Sequence, residues 1–237
     1  MGEADAPGPL IGTGRAADVY DIGGGRVLRR YRTAPRPGAI EREVAAMRHL
    51  RASGYPVPEV FDAGGRDVVM ERLVGTTMLD DLEEHPWRVD RHADTWADMH
   101  RRLREVPVGD LAAAGVPTRF GPPDAVVHLD FHPDNIMLTA DGPVVFDWTN
   151  AALGPPAADV AFAWVIGATT TVDGSRWMRV VVSALRHRLV DRFVDSCGRA
   201  GALALLPDVA AYRVQDRNVR PEEAARVHAL VADLTGT

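Results

Sequence analysis

The sequence predicts an α+β fold in two lobes: a small, mostly antiparallel sheet with one helix over residues 10–73, and a mainly helical lobe over residues 74–237. Short apolar runs that alternate with polar residues and break at glycine turns fill the first part, the pattern of strands and hairpins. One amphipathic stretch interrupts them. Helical apolar spacing takes over in the second part.

Residues 10–31 read as two short strands. LIGTG leads into a turn and RAADVYDI, and a second turn at Gly23-Gly24-Gly25 returns the chain into RVLRRY. In RVLRRY a period of two puts Val27 and Arg29 on one face, Leu28 and Arg30 on the other. Residues 38–52, GAIEREVAAMRHLRA, follow Pro37 and carry Ile40, Val44, Met47 and Leu50 at helical spacing. Glu43 falls inside that apolar arc and Glu41 outside it. A carboxylate on a buried face needs a partner, and Arg29 is the candidate. Beyond Pro56 and Pro58, EVFDA runs up to Gly64-Gly65 and RDVVMERLVG runs back as a second hairpin, with Gly75 marking the boundary between lobes.

The second lobe opens with a short acidic helix, Met78 to Glu84, and a longer one over about Arg91 to Glu105. Trp96, Met99, His100 and Leu103 line one face of the longer helix, which makes His100 a core residue. Residues 106–124, with four prolines and three glycines, form an irregular connection. Two later helices are expected, about Arg176–Ser196 and Pro221–Leu234; Pro221-Glu222-Glu223 suits a first turn.

The chemistry concentrates in Ala125 to Trp148, AVVHLDFHPDNIMLTADGPVVFDW. His128, Asp130, His132, Asp134 and Asn135 fall within eight residues. Asp141-Gly142 between two apolar runs signals a hairpin that brings Asn135 and Asp147 close in space. Alternating His and Asp suit a metal-dependent hydrolase. The spacing Asp130, Asn135, Asp147 suits phosphoryl transfer more closely. There one Asp takes or orients the substrate hydroxyl, while the Asn and the second Asp hold magnesium against nucleotide phosphates. The chain has only three Asn, at 135, 150 and 218, so one at the required place carries weight.

HLDFHPDN followed by VVFDW resembles the small-molecule kinases typified by aminoglycoside phosphotransferases and choline kinases, which share the protein-kinase fold. The resemblance is strongest from Ala125 to Asp159, extends more weakly back to Leu10, and fades after about Thr170. It implies a two-lobed protein-kinase-like fold and ATP-dependent transfer of a phosphoryl group to a hydroxyl of a small molecule, with ATP and Mg2+ as cofactors. It also assigns roles. Asp130 is the catalytic residue, and Asn135 and Asp147 hold the metal. Gly12 and Gly14 belong to a glycine-rich loop with Ala17 in its third glycine position. Ile11 and Val19 cover the adenine, Val27 touches it, Met70 lies behind it, and Glu71 to Leu73 form the hinge. Arg29 stands where such kinases carry lysine, paired with Glu43. His128 braces the loop, Asp159 ties it by hydrogen bonds, and His132 receives no role. Arg29 and Ala17 motivate one alternative, a nucleotide-binding module of the same fold with low activity.

The 237 residues are 46% hydrophobic, ample for a core. A net charge of −6 argues against sequence-independent nucleic-acid binding. No apolar run approaches the roughly 20 residues of a membrane span, and the acidic N-terminus MGEADAPGPL lacks the apolar stretch of a secretory signal. The single cysteine, Cys197, suits a reducing cytoplasm. All 27 basic residues other than histidine are Arg. In residues 151–237 ten Arg meet nine Asp plus Glu. That balance points to a smaller hydroxylated acceptor rather than a polycationic aminoglycoside, although Asp80, Asp81, Glu83 and Glu84 offer an acidic rim.

Overall fold

The computed structural model describes residues 7–14, 16–169, 176–215 and 219–236, the side chains of 176–181 excepted. A five-stranded antiparallel sheet opens the chain, in spatial order β1-β2-β3-β5-β4. Its strands are β1 (Leu10–Thr13), β2 (Ala17–Gly23), β3 (Arg26–Tyr31), β4 (Val60–Gly64) and β5 (Asp67–Glu71). The segment expected to hold two strands therefore holds three. The turn at Gly14, closed by Gly14 N–H to Ala17 O at 2.9 Å, separates β1 from β2.

Helix α1 (Ala39–Ala52) covers the sheet. It buries Ile40, Val44, Met47 and Leu50 together with Glu43, the face read from the sequence. Each such aliphatic side chain contributes about 1.5–3 kcal/mol when fully removed from water. At the junction Gly75 starts β6 (Gly75–Thr77), which pairs with β8 (Ile136–Thr139). A Cβ on Gly75 would lie 2.1 Å from Leu138 O, so only glycine fits there. Thr77 then caps α2 (Met78–Glu84), its hydroxyl accepting from Asp80 N–H at 3.0 Å.

Behind the junction the helices stack on one another. Helix α3 (Val89–Arg104) packs on α5 (Arg176–Cys197), with Trp96 and Phe193 stacked at 3.7 Å between centroids. Helix α4 (Ala157–Thr169) is buried along nearly its whole length against α5, α6 (Arg199–Arg213) and α7 (Pro221–Thr235). Helix α6 was not expected. Its glycines at 198 and 201 and Pro207 inside it obscure the apolar repeat that Ala202, Leu206, Val209 and Ala210 form once buried. Three short strands complete the architecture: β7 (Ala125–Val127) pairs with β10 (Ala152–Gly154), and β9 (Gly142–Val145) with β8. Among the described residues no helix is long and apolar enough to cross a membrane.

Candidate active site

Strand β7 is entirely buried and delivers His128 to the loop that follows it. The loop is held from behind by Asp159 in the first turn of α4. Its two carboxylate oxygens accept from His128 N–H at 3.0 Å and Leu129 N–H at 2.7 Å. Leu129 has φ 58°, so the backbone turns sharply there, and the paired acceptor offsets the cost of the left-handed conformation. His128 Nε2 donates to Phe146 O at 3.0 Å, tying the loop to the far end of the β8–β9 hairpin. Phe146 N–H in turn donates to Asn135 O at 3.0 Å.

These bonds bring Asp130, Asn135 and Asp147 to one place. Asn135 Nδ2 donates to Asp130 O at 2.9 Å, and also lies 3.4 Å from Asp130 Oδ2 and 3.3 Å from His132 Nε2. The amide nitrogen is thus committed to the loop, which leaves the amide oxygen for a cation. His132, given no role by the sequence, lies 3.4 Å from Asp130 Oδ1. Burial pushes the Asp130 carboxyl up, but the His132 hydrogen bond and the charges of His132, His128 and Arg213 outweigh it and hold the group at about 2. Asp159 goes the other way. Burial pushes it up to about 6 against the two N–H donors that favour its charge.

The small lobe contributes a second cluster. Arg29 Nη2 meets Glu43 Oε1 at 2.5 Å, and Arg29 Nη1 lies 3.5 Å from Asp147 Oδ1. Tyr31, which sequence reading missed, joins them: its hydroxyl donates to Glu43 Oε2 at 3.0 Å and accepts from Arg29 Nη2 at 3.0 Å. Burial first, then the Glu43 charge, push the Tyr31 phenol up to about 12, so it stays protonated. Thr149 was missed too, and its Oγ1 donates to Asp147 Oδ1 at 2.6 Å. Both lie two residues beyond a residue already singled out, so the strand period after Arg29 and the turn after Asp147 carried the signal.

The residues assigned to the nucleotide fall along this corner. Gly12 pairs with Val19, Val19 with Arg29 and Val27 with Met70 across the sheet, so these side chains share one face. Val27 and Met70 are buried there, and Val19 is half-buried. Ile11 sits in a bulge of β1, exposed beside that face. Glu71 belongs to the opposite face, where its carboxylate accepts from Glu59 N–H at 3.0 Å and approaches Arg51 at 3.3 Å. Any contact of Glu71 with a base falls to its backbone. Leu73 follows, half-buried, on the way to Gly75.

Two observations test the fit of a nucleotide and magnesium. Neither Gly12 nor Gly14 has a positive φ, and a Cβ on Gly12 would meet nothing closer than Val19 at 3.6 Å. The chain itself does not demand glycine at Gly12, so the absent side chain opens room over the sheet. The donors at the loop, Asp147 carboxylate and Asn135 amide oxygen, are hard oxygens of the kind magnesium prefers. The hydrolase alternative finds no such support. Among the described residues no three His, Cys, Asp or Glu side chains converge as a metal-binding group.

Several solved structures resemble this fold, some of them nucleotide complexes. The GDP and kanamycin complex of APH(2″)-IIIa is 14% identical, with a TM-score of 0.59 over 96% of this chain and 92% of that one. The streptomycin–ATP–APH(2″)-IIa complex is 12% identical, with a TM-score of 0.62 over 87% of this chain and 83% of that one. A choline/ethanolamine kinase family protein from Mesorhizobium loti is 16% identical, with a TM-score of 0.58 over 98% and 89%. At such identities the likeness shows the fold, a two-lobed kinase-like one. An uncharacterized protein of Sinorhizobium fredii, y4cD, is 26% identical over 165 residues, 62% of this chain. The chain spans about a quarter of that relative's length, 26%. The model of the phosphotransferase enzyme family matches residues 8–120 and 109–195. With most of its length so matched, the chain belongs to the phosphotransferase enzyme family.

Proposed function

We propose that the protein transfers the γ-phosphoryl group of ATP to a hydroxyl of a small molecule. The observation that carries this is the convergence of Asp130, Asn135 and Asp147, with the Asn135 amide tied to Asp130 O at 2.9 Å and Phe146 N–H to Asn135 O at 3.0 Å. Magnesium, when bound, neutralises charge on the phosphates. Asn135 and Asp147 hold it through their oxygens. Arg29 keeps a full charge against Glu43 and Asp147 and offers its guanidinium to phosphate oxygens, a fork where a lysine would offer a point. Asp130, held ionised at about 2, orients the acceptor hydroxyl more than it stores its proton. That is the role expected of a loose phosphoryl-transfer transition state, which asks for positioning above all.

The placement of Asp130 beside the metal-facing pair favours turnover over the binding-only alternative, which has no use for it. Titration calorimetry with ATP in the presence of Mg2+ and then of EDTA tests this. Binding that requires Mg2+, with ADP release once an acceptor is supplied, is the expected result; indifference to ATP overturns the proposal.

A further inference from the structure

The glycine turn between β1 and β2 adjoins the face that the nucleotide residues share, because Gly12 pairs with Val19 and Val19 with Arg29 across the sheet. A turn that receives phosphates there must present backbone N–H groups to them. It must also keep its carbonyl oxygens turned away, since each carries a partial negative charge that repels an anion.

Those carbonyls already have partners. Ala17 O accepts from Gly14 N–H at 2.9 Å, and Ala16 O from Arg32 N–H at 2.9 Å. Gly14 O accepts from Arg32 Nη2 at 2.9 Å. A single residue, just past the end of β3, thus supplies two of these three donors. Asp18 in β2 aims its guanidinium. Arg32 Nη2 donates to Asp18 Oδ1 at 2.6 Å and Arg32 Nε to Asp18 Oδ2 at 3.2 Å, the two-pronged fit of a guanidinium on a carboxylate. The Arg32 hydrogen bond holds the Asp18 carboxyl below its ordinary value, so the pair stays ionised.

The direction of this hold follows from the strand register. Asp18 lies opposite Arg30, and Val19 opposite Arg29. Asp18 is therefore on the face of the sheet away from Val19 and Arg29. The guanidinium that meets Asp18 draws Gly14 O toward that back face. Arg32 itself is braced on its main chain. Arg66 Nη1, from the turn between β4 and β5, donates to Arg32 O at 3.0 Å, and Arg66 O accepts from Tyr31 N–H at 2.9 Å. Arg29, Tyr31 and Arg32 fall within four residues. The stretch of chain that presents Arg29 to Asp147 thus also sets the position of the turn above it.

We propose, resting on the phosphotransferase reading above, that Arg32 is a positioning residue for the nucleotide: from behind the sheet its side chain pins Gly14 O back and presets the glycine turn for phosphate. It touches no nucleotide and acts only through the turn.

The test compares the full chain with Arg32→Met, which keeps the stem of the side chain and removes every donor. Hydrogen exchange of the free protein, read by mass spectrometry, should quicken about fivefold or more over residues 10–19, the weight of one hydrogen bond. Exchange over residues 39–52 should stay as it is. Calorimetry should show Mg-ATP binding weakened by a similar factor. A partly exposed ion pair contributes little to the stability of a fold, so the melting temperature should stay near that of the wild type. Asp18→Ala, which leaves Arg32 in place without its aim, should move exchange and affinity the same way. The double variant should then be no worse than Arg32→Met alone. Unchanged exchange over residues 10–19 overturns the proposal, and so does faster exchange throughout the sheet, which marks a merely structural role. A loosened turn with unaltered Mg-ATP affinity overturns it too, as does a double variant that loses the sum of the two single effects. Absence of Mg-ATP binding by the wild type defeats instead the reading on which the proposal rests.

Discussion

In the loop from His128 to Asp147, the fixing bonds run mainly between side chains and main chain. Asp159 grips two backbone N–H groups, Asn135 grips Asp130 O, and His128 grips Phe146 O. In the corner around Arg29 the bonds run between side chains of separate elements: Arg29 and Tyr31 from β3, Glu43 from α1, and Asp147 from beyond β9. Main-chain anchors survive changes of side chain elsewhere, because each backbone group stays in place. A network of side chains depends on every member, and half-satisfying it costs more than leaving it out. On the proposed function, the loop would set the chemistry and the corner would set the hold on the nucleotide.

The largest contrast is expected between two loop carboxylates with different duties. Asp147→Asn removes the charge of the proposed metal ligand, so Mg-dependent ATP binding is expected to be lost in calorimetry. Asp130→Asn keeps near-normal Mg-ATP affinity while turnover falls by at least about 10²-fold, the scale of a positioned acid–base group. Equal affinity losses in the two variants would erase the division of labour drawn here.

Within the corner, Glu43→Ala strips the partner from a mostly buried guanidinium. A loss of roughly 3 kcal/mol follows from leaving one buried charge of a pair alone. Combining it with Arg29→Lys in a double-mutant cycle on stability and ATP affinity measures their coupling. Additive effects would mean that the 2.5 Å contact carries no energy.

The anchor of the loop makes a prediction in pH. Asp159 is held at about 6 in the folded protein, against 3.8 ordinarily. Between about 4 and 6 the folded state binds this proton and the unfolded state releases it. Its contribution to stability therefore declines as pH rises through that window, by roughly 3 kcal/mol, and is constant above it. His100, held near 4 by burial, acts in the opposite sense, since its proton is taken up first by the unfolded chain as pH falls below 6.5. The difference between wild type and Asp159→Asn isolates the first effect. Activity should show an acid limb near 6, because a protonated Asp159 cannot accept both N–H groups, whereas Asp130 titrates near 2 and cannot cause it. An acid limb unchanged in Asp159→Asn removes this assignment.

The same contrast explains how far the sequence could be read. Asp130, Asn135 and Asp147 lie within one loop and hairpin, so their order and the Asp141-Gly142 turn were enough to bring them together. Glu43 was legible because a carboxylate on an apolar helix face demands a cation. The strand period put Tyr31 on the face of Arg29, but its bond to Glu43 needs α1 placed above that face. Helix α6 stayed hidden because Pro207 and two glycines broke its pattern, and the burial that overrides propensity comes from α4 and α7.

The smallest effect sharpens the comparison most. Tyr31→Phe keeps the ring, which is 7% exposed and packed in the core, and deletes only the hydroxyl between Arg29 and Glu43. About 1 kcal/mol of stability is the expected loss for one such hydrogen bond. The functional change should be larger for binding than for chemistry. Without the hydroxyl, the guanidinium loses its second tether and is free to swing toward Asp147, 3.5 Å away, competing with the metal for the same oxygen. A rise of a few-fold in KM for Mg-ATP with kcat nearly unchanged is the predicted signature, and higher Mg2+ should reverse part of it. Restoring Mg2+ does nothing for a variant that is merely destabilised. If Tyr31→Phe matches wild type in KM at every Mg2+ concentration, the corner is a packing feature, and the loop alone governs the nucleotide.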